Sequence, residues 1–222
     1  MEIRFHGFSC ISVQGKDAVV LVDPYDQEHA GLALPKKKAD VVLANEAYGF
    51  HYALENIENK DAKVFDWPGE YEAKQVNVIA LQARPPKSGE GESGGASTKA
   101  LLFSFEVDGF RIGHLSNLNH KLSDEVSEGL GDIDILFVPI GGGENCLDPR
   151  TAHALVEELE PRIVVPMYYD IPKSKVRLGS LEAFLKEVGL VDPRRENVLK
   201  LKTRTDLPVD HMEYVVMEPV LK

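Results

Sequence analysis

The chain has 222 residues, of which 43% are hydrophobic, and this is enough to bury the core of one α/β domain. Its formal net charge is −11, an excess of acid that repels nucleic acid and anionic membrane surfaces. We therefore expect no nucleic-acid partner and no membrane partner. The basic run at residues 36–38 is short and falls in a predicted turn.

The two cysteines, Cys10 and Cys146, are far apart in sequence and form no Cys-x-x-Cys pair. This usage indicates neither a disulfide framework nor a thiolate zinc site, and it fits a reducing compartment. The first residues alternate between apolar and polar side chains, as in a strand, and do not show the basic and then apolar pattern of a leader peptide. No apolar run is long enough to span a membrane. We expect a soluble cytoplasmic protein and treat residues 1–222 as one domain.

Strands are predicted through the first fifty residues. Within residues 2–23, apolar and polar residues first alternate and a continuous apolar run then follows. This pattern favours three strands joined as hairpins. Asp23, directly before Pro24, is interpreted as a turn former. The apolar run at residues 41–43 predicts a buried strand, and a loop beginning at Asn45 follows it. Loops at the ends of buried strands commonly carry sites in layered α/β folds.

The rest of the chain alternates between predicted strands and helices. The pair Asp108-Gly109 lies between two apolar runs and predicts a two-residue hairpin, and residues 133–140 predict a buried strand. Residues 87–98 are rich in Gly and Ser, which indicates a surface loop within one domain. Helices are predicted to begin after the capping residues Ser123, Asp148 and Ser180.

Several short motifs are spread along the chain. They are Gly7 and Cys10, Asp23-Pro24, the Pro-Gly-Glu-Tyr-Glu turn at residues 68–72, and the segments at residues 114–120, 139–142 and 161–169. Together they resemble motifs of the metallo-β-lactamase superfamily, in particular the branch that contains the L-ascorbate-6-phosphate lactonase and other zinc-dependent hydrolases. The resemblance implies an α/β fold, a four-layer αββα sandwich of two mixed β-sheets. It also implies a metal-dependent hydrolase as the ancestral activity.

The same resemblance locates the metal ligands of the family, and this chain replaces them. The substituted positions are Asn45, Ala47, Gly49 and Phe50 in the first loop, and then Pro85, Asn117 and Tyr168. Alanine, glycine and phenylalanine offer no donor, an amide brings no negative charge, and a phenol is neutral near physiological pH. Zinc is expected for the family, but on these substitutions we predict no metal and no other cofactor. His114 and His120 match the pattern, where they serve as structural groups around the metals.

Two functions are compatible with this pattern. The first is a non-catalytic pseudoenzyme that binds a small molecule or a protein. The second is a hydrolase with a remodelled or metal-free centre, although no Gly-x-Ser-x-Gly nucleophile motif occurs. Enzymatic activity and assembly into a homo-oligomer are left open. The candidate residues for the cleft are Asn45, His51, Glu70, Asn117, His120 and Tyr168, with Glu46 beside them.

Overall fold

The computed structural model describes residues 1–45, 52–84, 100–143 and 146–220. The strands in the first half are β1 Glu2–Gly7, β2 Cys10–Gln14, β3 Val19–Val22, β4 Val41–Leu43, β5 Lys63–Phe65, β6 Gly69–Ala73 and β7 Val76–Gln82. The later strands are β8 Leu101–Val107, β9 Phe110–His114, β10 Ile135–Pro139, β11 Ile163–Met167, β12 Arg194–Glu196, β13 Leu199–Lys200 and β14 Glu213–Met217. The helices are α1 Gln27–Ala30, α2 Asp124–Leu130, α3 Pro149–Leu159 and α4 Leu181–Glu187, with 3₁₀ turns at Leu54–Asn56 and Arg204–Asp206.

The strands form two mixed sheets within the described residues. The first sheet has the order β13-β1-β2-β3-β4-β5, and the second has the order β12-β14-β11-β10-β9-β8-β7-β6. In the first sheet β3, β4 and β5 are parallel, while in the second β9, β10, β11, β14 and β12 are parallel. Two mixed sheets with helices packed against them confirm the predicted fold class.

Local sequence explains the element boundaries. Asp148 caps α3 by accepting hydrogen bonds from the backbone N–H groups of Arg150 and Thr151, and Pro149 occupies the first helical position. Ser180 caps α4 in the same way. Ser123 lies at the N-cap position of α2, but its side chain makes no capping bond, so that predicted role is wrong.

Some elements differ from the sequence-based expectation. The strand β12 was not predicted because its three residues are all charged, and its pairing with β14 rather than apolar burial fixes it. Residues 52–57 contain a short 3₁₀ turn at Leu54–Asn56 and no α-helix. Cys10 and Cys146 are both free and buried, as the cysteine spacing indicated. None of the helices in the described ranges is long and apolar enough to span a membrane.

The carboxyl ends of strands from both sheets meet at one place. Strands β1, β3 and β4 end there from the first sheet, and β9 and β11 end there from the second. The backbone N–H of Tyr168 donates to the Phe8 carbonyl at 2.8 Å, and His114 Nε2 donates to the Ser9 carbonyl at 2.8 Å. These bonds tie the two sheets together. We call this meeting point the junction; its residues are Phe8, Ser9, Asp23, Asn45, His114, Ser116, Asn117 and Tyr168.

Candidate functional site at the junction of the two sheets

Three of the predicted site residues lie at the junction. Asn45 follows β4, Asn117 lies in the loop after β9, and Tyr168 directly follows β11. Their exposed fractions are only 1%, 2% and 3%. The parallel strand ends therefore bring together three positions from distant parts of the chain, of which the first and the last are more than one hundred residues apart.

Glu70 lies away from the junction, whereas His120 lies in the same loop as Asn117. Glu70 is exposed on the edge strand β6, where it lines a shallow pocket with Arg84 and Glu125, so the structure does not bring it to the junction. His120 is half-buried three residues beyond Asn117. The remaining positions lie outside the described residues; these are Glu46, Ala47, Gly49, Phe50, His51 and Pro85.

The two asparagines leave buried polar atoms without a hydrogen-bond partner among the described residues. Asn45 has neither its side-chain oxygen nor its nitrogen paired, and Asn117 has an unpaired nitrogen. An unsatisfied buried donor or acceptor costs about 1–3 kcal/mol, and most buried polar groups in folded proteins are paired. As far as the described part of the chain shows, the two amides therefore have hydrogen-bonding capacity left for a donor or an acceptor at the junction.

Aromatic rings fill the space beside these amides. The ring centroid of Phe8 lies 5.9 Å from that of Tyr168 and 5.3 Å from that of Tyr25, both in edge-to-face geometry. Cys146 fixes the backbone of Tyr168. Its Sγ donates to the Tyr168 carbonyl at 3.6 Å and accepts from the Gly141 N–H at 3.0 Å. The rings give the buried junction an apolar wall beside its polar groups.

Asp23 is a buried acid without a cationic partner. The hydroxyl groups of Ser9 and Ser116 hydrogen-bond its side chain, while its Oδ1 atom has no partner among the described residues. Burial raises the pKa of the Asp23 carboxyl to about 7, an effect that the two hydroxyls reduce but do not cancel. Asp23 is therefore able to give or take a proton near neutral pH.

His114 lies fully buried beside Asp23 and Ser116. Its Nε2–H donates to the Ser9 carbonyl, and its Nδ1 accepts from the backbone N–H of Ser116 at 3.2 Å. This pattern fixes the tautomer with the proton on Nε2 and the lone pair on Nδ1. Burial lowers the pKa of His114 to about 4, so the ring is neutral at physiological pH.

The backbone at the junction is strained. Phe8, Asp23, Ser116 and Tyr168 have φ values of 52°, 47°, 47° and 55°, in the left-handed region that glycine prefers. Each such residue costs about 1–3 kcal/mol, and residues of this kind cluster at functional sites. Four of them converge here, which marks the junction as a place where the chain accepts strain to hold particular side chains.

His120 has a ring nitrogen available. Its Nδ1–H donates to the Lys121 carbonyl at 2.7 Å, which leaves the lone pair of a neutral ring on Nε2. That Nε2 atom is buried and has no partner in the part of the chain that the structure describes. A histidine oriented by a carbonyl on one side and open on the other is suited to accept a proton or to bind a ligand.

The fold and the junction together define a protein with the two-sheet α/β sandwich and a site at the strand ends between the sheets. The family model described as the beta-lactamase superfamily domain matches residues 2–168, and the chain belongs to this superfamily. The resemblance inferred from the sequence motifs is confirmed.

Curated relatives and a solved structure agree with this assignment. A UPF0173 protein of Pyrococcus furiosus is 28% identical over 76% of this chain and 83% of its own length. A UPF0173 metal-dependent hydrolase of Thermococcus onnurineus is 27% identical over 77% of this chain and 85% of its own length. A Thermotoga maritima protein assigned to the Zn-dependent hydrolases of the metallo-beta-lactamase superfamily has a TM-score of 0.76 and 25% identity, with 98% of both chains covered.

These names contradict the prediction that the protein takes no cofactor. Relatives that match three quarters of the chain are named metal-dependent hydrolases. The prediction was based on the substituted positions. Glu46 and His51, which belong to the same stretch of sequence, carry donors of the type that zinc binds. Both lie outside the described residues. Within the described residues, no group of three or more His, Cys, Asp or Glu side chains is placed to hold a metal ion. The described residues alone thus do not form a zinc site, and we derive no chemical step through a metal.

Sequence reasoning missed three members of the junction. Asp23 was interpreted as a turn former because Asp before Pro commonly is one, although it ends a strand whose last three residues are buried. Ser9 and Ser116 carry no signal of their own, since single serines are frequent in loops. The signal that would have found Asp23 is a carboxylate directly after an apolar strand, at the same sheet edge as Asn45.

Proposed function

We propose that the protein is a hydrolase of this superfamily whose catalytic centre has been remodelled at the junction. The observation that carries the proposal is the group of polar atoms on Asp23, Asn45 and Asn117 that have no hydrogen-bond partner within the described ranges. Selection for stability alone would replace such groups, because each costs free energy when it is buried and unpaired. They occur at the strand ends where the fold places its sites.

The chemistry of these groups suits hydrolysis. The amide nitrogens of Asn45 and Asn117 are neutral donors in a buried site, where a preorganised donor stabilises the oxygen of a carbonyl or phosphoryl group as it gains charge. Asp23 has a pKa near neutrality, and His120 keeps an open Nε2. Either group can accept a proton from an attacking hydroxyl or water.

Hydrolysis of carboxylic esters, lactones and phosphodiesters by the purified full chain tests the proposal, with and without added zinc or manganese. We expect turnover of at least one class. Asn117→Ala and His120→Ala should each lower kcat/KM at least about a hundredfold, the scale on which one catalytic hydrogen bond or proton acceptor acts. Both variants should keep the wild-type circular dichroism spectrum.

A matched histidine variant provides the control. His153 lies on α3, where its Nε2 pairs with Glu157 at 3.7 Å, and His153→Ala should leave turnover unchanged. Absence of turnover across the panel under both metal conditions contradicts the proposal. Turnover that survives both Asn117→Ala and His120→Ala contradicts it as well.

A non-catalytic binding role is the second candidate function. It is favoured by the packing of Phe8 against Tyr168 and by the nearly complete burial of the junction residues. A protein of this kind would give no turnover in the panel, and a small molecule would raise its melting temperature in wild type but not in Asn117→Ala. The panel therefore separates the two candidates.

A further inference from the structure

Ser116 holds a hydroxyl group at a backbone position that disfavours any side chain. Its φ of 47° lies in the left-handed region, where a residue with a Cβ atom costs about 1–2 kcal/mol and glycine does not. The side chain is fully buried, so solvation of the hydroxyl does not offset this cost. A serine kept under these conditions points to a use for its oxygen.

A buried acid and a buried histidine lie beside that oxygen. Ser116 Oγ hydrogen-bonds the side chain of Asp23, whose carboxylate is a proton acceptor. Ser116 Oγ also lies 3.4 Å from His114 Nδ1, but that nitrogen accepts from the Ser116 backbone N–H at 3.2 Å. His114 therefore positions the backbone of Ser116, and Asp23 is the base for its hydroxyl.

A hydroxyl beside an oriented base is the arrangement that turns serine into a nucleophile. We propose that Ser116 is the nucleophile of the remodelled centre and is acylated by carboxylic esters or lactones. This inference rests on the proposed hydrolase function and adds a covalent intermediate to it. The unpaired amide of the adjacent residue, Asn117, is available to donate to the substrate oxygen.

The proposed reaction proceeds in two balanced steps. In the first, Ser116 Oγ forms a bond to the carbonyl carbon, its proton passes to the Asp23 carboxylate, and the bond to the leaving alcohol breaks as that alcohol takes up the proton. In the second, water adds to the acyl carbon, the bond to Oγ breaks, and the carboxylic acid leaves while Ser116 regains its proton. No oxidant or reductant is required.

An alkyl fluorophosphonate tests the nucleophile directly. Attack by Ser116 forms a bond from Oγ to phosphorus, breaks the phosphorus–fluorine bond and releases fluoride, while the proton passes to the flanking base. We expect one adduct per chain, mapped by peptide mass spectrometry to Ser116. Labelling should be slow, because the side chain is fully buried and reacts only in conformations that uncover it.

Ser116→Gly is the decisive variant, because glycine accepts the backbone conformation without strain and removes only the hydroxymethyl group. It should lose the adduct and lower kcat/KM for the ester at least about a hundredfold, as expected for loss of a nucleophile. Ser127→Ala is the control; this serine on α2 donates to Glu158 at 2.6 Å, and its variant should label and turn over as wild type does.

The outcomes separate this inference from the proposed function. Ester hydrolysis that persists in Ser116→Gly, or an adduct on another residue or no adduct at all, overturns the inference and leaves the hydrolase proposal standing. An adduct on Ser116 without turnover of any panel substrate supports the nucleophile and overturns the hydrolase proposal. Absence of both turnover and adduct overturns both. The adduct position in wild type is informative even where a variant fails to fold.

Discussion

Two buried aspartates, Asp23 and Asp134, show how differently this chain treats the two ends of its sheets. Asp134 precedes β10 and accepts from the Arg111 N–H at 2.9 Å and from two nitrogens of Arg204 at 2.8 and 2.7 Å. Pairing with this carboxylate raises the pKa of the Arg204 guanidinium. Among the residues that the structure describes, the Asp23 side chain receives only serine hydroxyls, has no cation beside it and keeps one oxygen unpaired.

The difference between the two aspartates indicates that one end of the sheets stabilises the fold and the other end holds the candidate site. At the end of the sheets that holds Asp134, Arg204 also donates to the Gly109 carbonyl at 2.9 Å, so one guanidinium ties a buried acid to the tight hairpin between β8 and β9. This is what a structural acid requires. At the junction, by contrast, the acid, the amides and the strained backbone all lower stability, which is expected where side chains are positioned for chemistry.

The largest expected effect comes from crowding the junction backbone. A Cβ atom added at Gly141 would lie 2.3 Å from the Tyr168 carbonyl oxygen and 3.0 Å from Leu178 Cβ. Because backbone must move to relieve that clash, we expect Gly141→Ala to lower the free energy of unfolding by roughly 3 kcal/mol. Urea denaturation measures the change.

The hairpin at the opposite end supplies the matched control. A Cβ atom at Gly109 would meet no heavy atom within 4 Å, and only its φ of 79° disfavours a side chain. Gly109→Ala should therefore cost only about 1 kcal/mol. Equal destabilisation by the two variants would show that the junction is not tightly packed around Tyr168, contrary to our description.

The next effect is a pH dependence that belongs to Asp23. Its folded-state pKa is raised from 3.8 to about 7, so the folded protein keeps a proton that the unfolded chain releases. The contribution of Asp23 to stability is present below pH 3.8 and is lost as the pH rises to about 7. Asp23→Asn should remove this loss, so its stability relative to wild type should increase from about pH 4.5 to about pH 8.

Asp134→Asn tests the other side of the comparison, in the same urea titrations. It removes a charge-assisted pair, so it should lower stability by roughly 1 kcal/mol, a moderate value because Arg204 is largely exposed to solvent.

The relative stability of Asp23→Asn would stay constant across the pH range if Asp23 carried an ordinary carboxyl pKa. The histidines act in the opposite direction: burial lowers the pKa of His114 to about 4, so its contribution is lost as the pH falls below 6.5.

Most of the scaffold was predictable because its elements are specified locally. The buried run of β4, the Asp108-Gly109 hairpin and the Asp148-Pro149 start of α3 each follow from residue type and spacing. The structure agrees with the prediction at these places. Strand β12 escaped prediction because only its partner strand stabilises it.

The junction was only partly predictable, for physical reasons. Asn45, Asn117 and Tyr168 were predicted to share a cleft, because the family motif gives the strand ends on which they lie. The network of Asp23, Ser9, His114 and Ser116 was not predicted, since it depends on positive φ values and on bonds between sheets that leave no periodic pattern in the sequence. The exposed position of Glu70 follows from its place on an edge strand, which pattern alone does not reveal.

The most direct test of the central claim compares hydrolysis per folded molecule in Asp23→Asn and Asp134→Asn. Our account assigns Asp23 to the remodelled centre and Asp134 to the scaffold. We predict that Asp23→Asn folds as wild type does but loses at least about tenfold in kcat/KM, while folded Asp134→Asn keeps the wild-type value. Wild-type turnover by Asp23→Asn, or an equal loss in both variants, would contradict the account.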